Sequence, residues 1–120
     1  MKLSWYEEVF EHIDNKRVEE FLSFISDDIK LTFANQPCAE GKEAVRSALT
    51  VFWQMIYGLK HQFTHVFESE GHVIFEGTVK YTRLDQTAVS VPCVTIIKVS
   101  DELAKEWRIY TDLTPVFSAH

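Results

Sequence analysis

Basic side chains are in short supply: 12 Lys and Arg stand against 18 Asp and Glu, a formal net charge of −6. They are also scattered, so no cationic stripe exists to follow a phosphate backbone or settle on an anionic bilayer. Neither nucleic acid nor membrane is expected as a partner. Cysteine is limited to Cys38 and Cys93, too few for a disulfide framework, and both read as thiols. Three Pro and four Gly supply no linker, and there is no repeat or low-complexity tract, so residues 1–120 are expected to form one domain. No apolar run approaches membrane-spanning length, and "MKLSWYEEVF" reaches Glu7 and Glu8 before any stretch of signal-peptide length. The expected compartment is cytoplasmic. No phosphate loop, dinucleotide fingerprint, haem or flavin motif is present, so no cofactor is expected, and no zinc spacing points to a metal.

What is abundant is apolar residue, 46% of the chain with 13% aromatic, enough for a packed core. Ser4 and Glu7 have capping-box spacing, and Trp5, Val9 and Ile13 follow on one helical face. A polar break at Asp14–Asn15 precedes a second short helix carrying Val18, Phe21, Leu22 and Ile25, expected to end at Asp27–Asp28. "IKLTFAN" alternates as a strand closed by Pro37. From Gly41, Val45, Leu49, Phe52 and Ile56 mark the longest helix, with Gly58 as its stop. The rest reads as four strands, "LKHQFTHVFE", "HVIFEGTVKYTRL", "AVSVPCVTIIKVS" and "LAKEWRIYTDLTPVF", joined by short turns and therefore antiparallel. The expected class is α+β: three N-terminal helices on one face of a curved, mainly antiparallel sheet that encloses a pocket.

The last strand carries a carboxylate, Asp112, among β-favouring residues. Alternation puts Trp107, Ile109 and Leu113 on one face and Arg108, Tyr110 and Asp112 on the other, which by itself turns Asp112 to water. His61 and His65 lie about 13 Å apart by strand rise, too far to share a metal, and read as surface or interface histidines. Cys93, after Pro92, reads as a buried structural thiol. Asn35 reads as a turn residue before Pro37.

Two stretches carry a family likeness. "FANQPCAEGKEAV", residues 33–45, resembles the "Y-x-N-x-P…G-x-E-A-V" region of limonene-epoxide hydrolases, and "WRIYTDL", residues 107–113, resembles their final "W-R-x-Y-x-D-L" strand. With the order of elements, this resembles the nuclear transport factor 2-like superfamily, in its SnoaL-like branch of polyketide cyclases and epoxide hydrolases. The resemblance implies a cone-shaped fold. It places Asn35 where the hydrolases hold the attacking water, Asp112 on their water-activating Asp, and Phe33 where they have a Tyr. Their epoxide-activating Arg and Asp fall on Gly77 and Val79, so epoxide opening lacks a general acid worth about 10²–10⁴-fold.

The cyclases imply a simpler site, a single last-strand Asp that moves a proton beside a carbonyl. On that basis Asp112, Asn35 and Tyr110 are the expected catalytic residues, and Phe33, Phe52, Trp53, Val79, Tyr81, Val91 and Cys93 the expected ligand-binding lining, with Tyr110 and Tyr81 as the candidate donors to an enolate oxygen. The family pattern turns Asp112 inward, where dry surroundings raise its pKa above about 3.9. Pairing with Arg108 or Asn35 would lower it instead. The same pattern turns Trp107, Ile109 and Leu113 outward to a second subunit, implying a homodimer through the outer sheet face. Two functions fit: a cofactor-free isomerase, cyclase or lyase acting on a small apolar molecule, or a non-catalytic ligand-binding or dimeric scaffold module.

Overall fold

The computed structural model describes residues 3–117, with side chains from Trp5 onward. In chain order the elements are α1 (Leu3–Asp14), α2 (Val18–Leu22), β1 (Ile25–Phe33), β2 (Ala39–Glu40), α3 (Lys42–Gln54), β3 (Gly58–Ser69), β4 (His72–Thr82), β5 (Ala88–Ser100), β6 (Leu103–Thr111) and α4 (Thr114–Phe117). The strands make one sheet in the order β2-β1-β6-β5-β4-β3. Every pairing is antiparallel except β1 with β6. The α+β class and the curved, mainly antiparallel sheet expected from the sequence are both present.

The two-residue period of the strands decides what faces the helices. Leu31 pairs with Trp107, Trp107 with Ile97, Ile109 with Thr95, and Tyr81 with Leu59, so these residues share one face. Helices α1 and α2 cover it: Phe21 meets Trp107 edge-on at 5.1 Å, and Phe10 lies 5.6 Å from Trp107 and 5.0 Å from Phe75. This overturns the expected faces of β6. Trp107 is 2% exposed within the single chain and Ile109 packs beside the core, while Arg108 and Tyr110 take the outer face. An apolar strand face goes to the helices, as simple alternation dictates, so neither Trp107 nor Ile109 is free to meet a second subunit. Leu113, beyond the strand, also packs against the core.

One defect bends the sheet. The β3–β4 register shifts between Phe63 and His65, leaving Thr64 as the extra residue of a bulge, with its Oγ1 donating to the Glu76 carbonyl at 3.0 Å. Opposite the bulge stands Gly77, and a Cβ there would lie 2.0 Å from the Gln62 carbonyl oxygen and 2.8 Å from the Phe63 Cα. Only glycine fits beneath the displaced backbone.

Several boundaries differ from the sequence reading. Helix α1 begins at Leu3, so Ser4 lies within it instead of capping it, and the Ser4 side chain lies outside the described part. Helix α2 ends at Leu22 and β1 already starts at Ile25, with its irregularity between Ile25 and Lys30 where Asp27–Asp28 falls. Strand β2 was not expected, and the last strand stops at Thr111 instead of running to Phe117. The reason for that stop is local. Asp112 accepts a hydrogen bond from the Thr114 N–H at 2.9 Å and Pro115 sits in the first turn, which together start α4.

The α1–α2 turn also fastens α3. Lys16, in the left-handed region at φ 56°, donates its Nζ to the carbonyls of Trp53 (2.9 Å) and Ile56 (2.7 Å). These lie at the C-terminal end of α3, where carbonyls lack helical partners and a cation complements the helix dipole.

Candidate active site

Two spaces adjoin helix α3. The first is an open cleft of about 1060 Å³ between α3, the segment after β1 and the chain around α4, with Asn35, Val51, Met55, Tyr110, Asp112 and Phe117 among its walls. The second is an interior cavity of about 30 Å³ beneath the helices, bordered by Phe10, Trp53, His61, Tyr81, Cys93 and Thr95 among others. A water needs roughly 10–15 Å³ of such space, so the cavity has room for about two or three. Phe33 and Phe52 border both.

The expected catalytic residues Asn35, Tyr110 and Asp112 do come together, but on the open cleft, and all three are exposed, Tyr110 at 55%. The dry setting expected for Asp112 is absent. The Thr114 backbone N–H and then its hydroxyl hold the Asp112 carboxyl below the usual carboxylate range, which makes it a weak base near neutrality. Arg108 does not reach it, because Arg108 pairs with Glu106 at 2.7 Å. Asn35 sits in the turn after β1, beside left-handed Ala34. Of the expected lining, Phe33 and Phe52 reach both spaces, and Trp53, Tyr81 and Cys93 reach only the interior one. Val79 and Val91, 1% and 2% exposed, border neither space and serve as core. Gly77 faces the bulged backbone, so no arginine can occupy its position.

The interior cavity is bordered by His61, which the sequence places at the surface or an interface. His61 follows Leu59 and precedes Phe63 on the inward face of β3, and its side chain is 11% exposed. Asp14, the last residue of α1, grips it twice: Oδ1 lies 2.6 Å from the ring Nδ1, and Oδ2 accepts the His61 backbone N–H at 3.0 Å. An ionised carboxylate can only accept, so Nδ1 is the donor of this contact, and in the matching neutral tautomer Nε2 carries the lone pair. Nε2 makes no hydrogen bond among the described residues. Phe10, 4.9 Å away, and Phe63, 5.8 Å away, hold the ring in place.

Tyr81 stands across the β3–β4 pair from Leu59, 2% exposed. Burial, then the nearby Cys93 and Asp14, push its hydroxyl far above the ordinary tyrosine range, so it remains a proton donor. Burial likewise raises the Cys93 thiol, against a weak contact with Thr95 at 3.9 Å, and keeps it from acting as a thiolate. The signal for His61 was in the chain: Leu59, His61 and Phe63 alternate on one face. Its partner was not, because Asp14 lies 47 residues earlier. His65, past the bulge, is 61% exposed and pairs with Glu76 at 3.1 Å. Among the described residues no three acidic, His or Cys side chains gather as metal ligands, and no helix is long and apolar enough to cross a membrane.

Comparison with known proteins fits this architecture. A Burkholderia pseudomallei NTF2-like protein of unknown function superposes with a TM-score of 0.89 at 14% identity, over 99% of this chain and 100% of that one. A SnoaL-like polyketide cyclase, so described provisionally, from Shewanella putrefaciens gives 0.81 at 12% identity over 92% and 89%. An epoxide hydrolase of the limonene-epoxide-hydrolase-like type from M. tuberculosis gives 0.78 at 16% identity over 96% and 85%. At these identities the likeness speaks for the fold alone. No curated protein matches by sequence. The family model described as "SnoaL-like domain" matches residues 6–107, most of the chain, and the protein therefore belongs to the SnoaL-like domain family.

Proposed function

We propose that this SnoaL-like protein is a cofactor-free acid/base enzyme that moves a proton on a small apolar carbonyl compound, with His61 as the base. The observation that carries this reading is the Asp14–His61 pair, 2.6 Å apart, whose imidazole borders an apolar cavity together with Tyr81. Asp14 fixes the ring and stabilises the imidazolium that forms when Nε2 takes a proton from the carbon beside the carbonyl. The Tyr81 hydroxyl donates to the enolate oxygen. Return of the proton to a different carbon isomerises the substrate; expulsion of a β-leaving group makes the step an elimination. Cyclase and epoxide hydrolase structures among the relatives are compatible with small-molecule chemistry on this scaffold.

The test is deuterium uptake at the α-carbon of acetone and acetophenone in D₂O, for the wild type, His61→Gln and Tyr81→Phe. Uptake above the buffer rate that falls about 10²-fold or more in His61→Gln is expected. Equal uptake in wild type and His61→Gln would sink the assignment. A second reading, a ligand-binding module without chemistry, draws on the open cleft of about 1060 Å³, where Asp112 is a weak base; it predicts ketone binding with no uptake in any variant.

The outer sheet face is proposed as the homodimer surface, with half-exposed Phe67 and Tyr110 in place of Trp107 and Ile109. Sedimentation of the wild type and Phe67→Glu checks it: a dimer that Phe67→Glu dissociates is expected, and a wild-type monomer at high concentration refutes it.

A further inference from the structure

We infer that Phe33 and Phe52 form a two-ring partition controlling which molecules reach His61, so that the open cleft and interior cavity are two parts of one ligand site. His61 as the destination rests on the acid/base reading above. Leu31 and Leu49, which also border both spaces, are fixed in the core at 3% and 6% exposure. Phe33 and Phe52 are only partly buried and meet edge-on at 4.8 Å. One ring comes from the last residue of β1 and the other from α3. Side chains therefore close the partition between these two elements.

Phe52 is the movable half. Its other ring neighbours are farther off, Tyr81 at 6.0 Å and Phe117 at 6.3 Å, and on its outer side lies the open cleft. A rotamer change toward the cleft moves the ring against Phe117, itself 46% exposed, and joins about 30 Å³ of cavity to about 1060 Å³ of open space. The reverse motion seals the reacting end from water, which strengthens the polar contacts inside. The ligand class follows from the two compartments. A flat apolar molecule keeps its body in the cleft against Val51, Met55 and Phe117 and passes a carbonyl end between the rings to Tyr81 and His61.

A ladder of methyl ketones tests this: acetone, acetophenone and 2-acetylnaphthalene, titrated while the His61 ring signals are followed by NMR. Phe52→Leu and Phe33→Leu thin the partition from either side, and Phe52→Trp thickens it. All three ketones should perturb Val51 and Met55 in every variant. At His61, the apparent affinity for the two aromatic ketones should rise at least about tenfold in either Leu variant and fall in Phe52→Trp, the scale on which an apolar pocket discriminates small groups. Identical His61 responses across the folded variants would overturn the partition. That outcome is separable from failure of the acid/base reading, which would show ketones at His61 but deuterium uptake indifferent to His61→Gln.

Discussion

Gly77→Ala places a single methyl where the bulge brings β3 over β4. The new Cβ would stand 2.0 Å from the Gln62 carbonyl oxygen, 2.8 Å from the Phe63 Cα and 2.9 Å from the Gln62 carbonyl carbon. All three are backbone atoms, so no rotamer relieves the clash. Restoring ordinary contact requires the strands to part by about 1.4 Å, more than a ladder hydrogen bond tolerates. Overpacking costs about 1–3 kcal/mol, and losing the local pairing adds about 1 kcal/mol. A destabilisation of about 3 kcal/mol is expected, seen as a melting temperature lower by roughly 10–15 °C. Urea unfolding should give a lower midpoint at unchanged m-value. A Gly77→Ala protein within about 0.5 kcal/mol of wild type would refute the reasoning, because a surface substitution costs no more than that.

Lys16→Met should cost about 1–3 kcal/mol, because it frees the carbonyls of Trp53 and Ile56 at the end of α3; equal urea midpoints would contradict this. Asp14→Asn should keep the fold yet lower deuterium uptake by about 10²-fold or more, and full retention of uptake would remove Asp14 from the site. Asp112→Ala should leave uptake unchanged while loosening α4, seen as faster amide exchange at Thr114. With Asp112 held low in the folded state, the stabilisation from its cap is complete above its unfolded pKa and fades as pH falls through the lower folded value; a cap effect that persists in strong acid would contradict it. Tyr6, raised to about 12 chiefly by burial, and Tyr81, raised further, stabilise the fold fully below the unfolded tyrosine value near 10. That stabilisation is lost progressively at higher pH, so Tyr81→Phe should flatten the alkaline fall in melting temperature, and an unchanged slope would count against a buried hydroxyl.

Local pattern made the architecture legible. Apolar residues at helical spacing located α1 and α3, and alternation located β3, β4 and β5. The failures came where a few residues competed with the pattern. Asp112, Thr114 and Pro115 convert an apparent strand end into a helix, and β2 is two residues long, too short to show an alternation. The site was legible only in part. Family motifs led to Asp112 and away from the plain alternation that puts Trp107 inward, yet the same alternation also put His61 inward beside Leu59 and Phe63. Tyr81, Phe33 and Phe52 were expected as lining on the strength of the family resemblance. Asp14 was not, because a carboxylate ending a helix looks solvated until tertiary contact places a strand against it.

The one parallel pairing in the sheet, β1 with β6, has a bearing on how the chain acquires its structure. Leu31 and Phe33 have no neighbour on that side until Trp107 and Ile109 arrive, so during synthesis an early strand waits for the last one. Hairpins β3–β4 and β4–β5 close over short spans and can form on their own, whereas the β1–β6 seam must close a loop spanning most of the molecule. Folding is thus set to be gated by the final strand's emergence from the ribosome, with Leu31 and Phe21 uncovered until then. A chain cut before Trp107 would lose a central strand rather than a tail, leaving two sheet fragments with open edges and a strong tendency to aggregate.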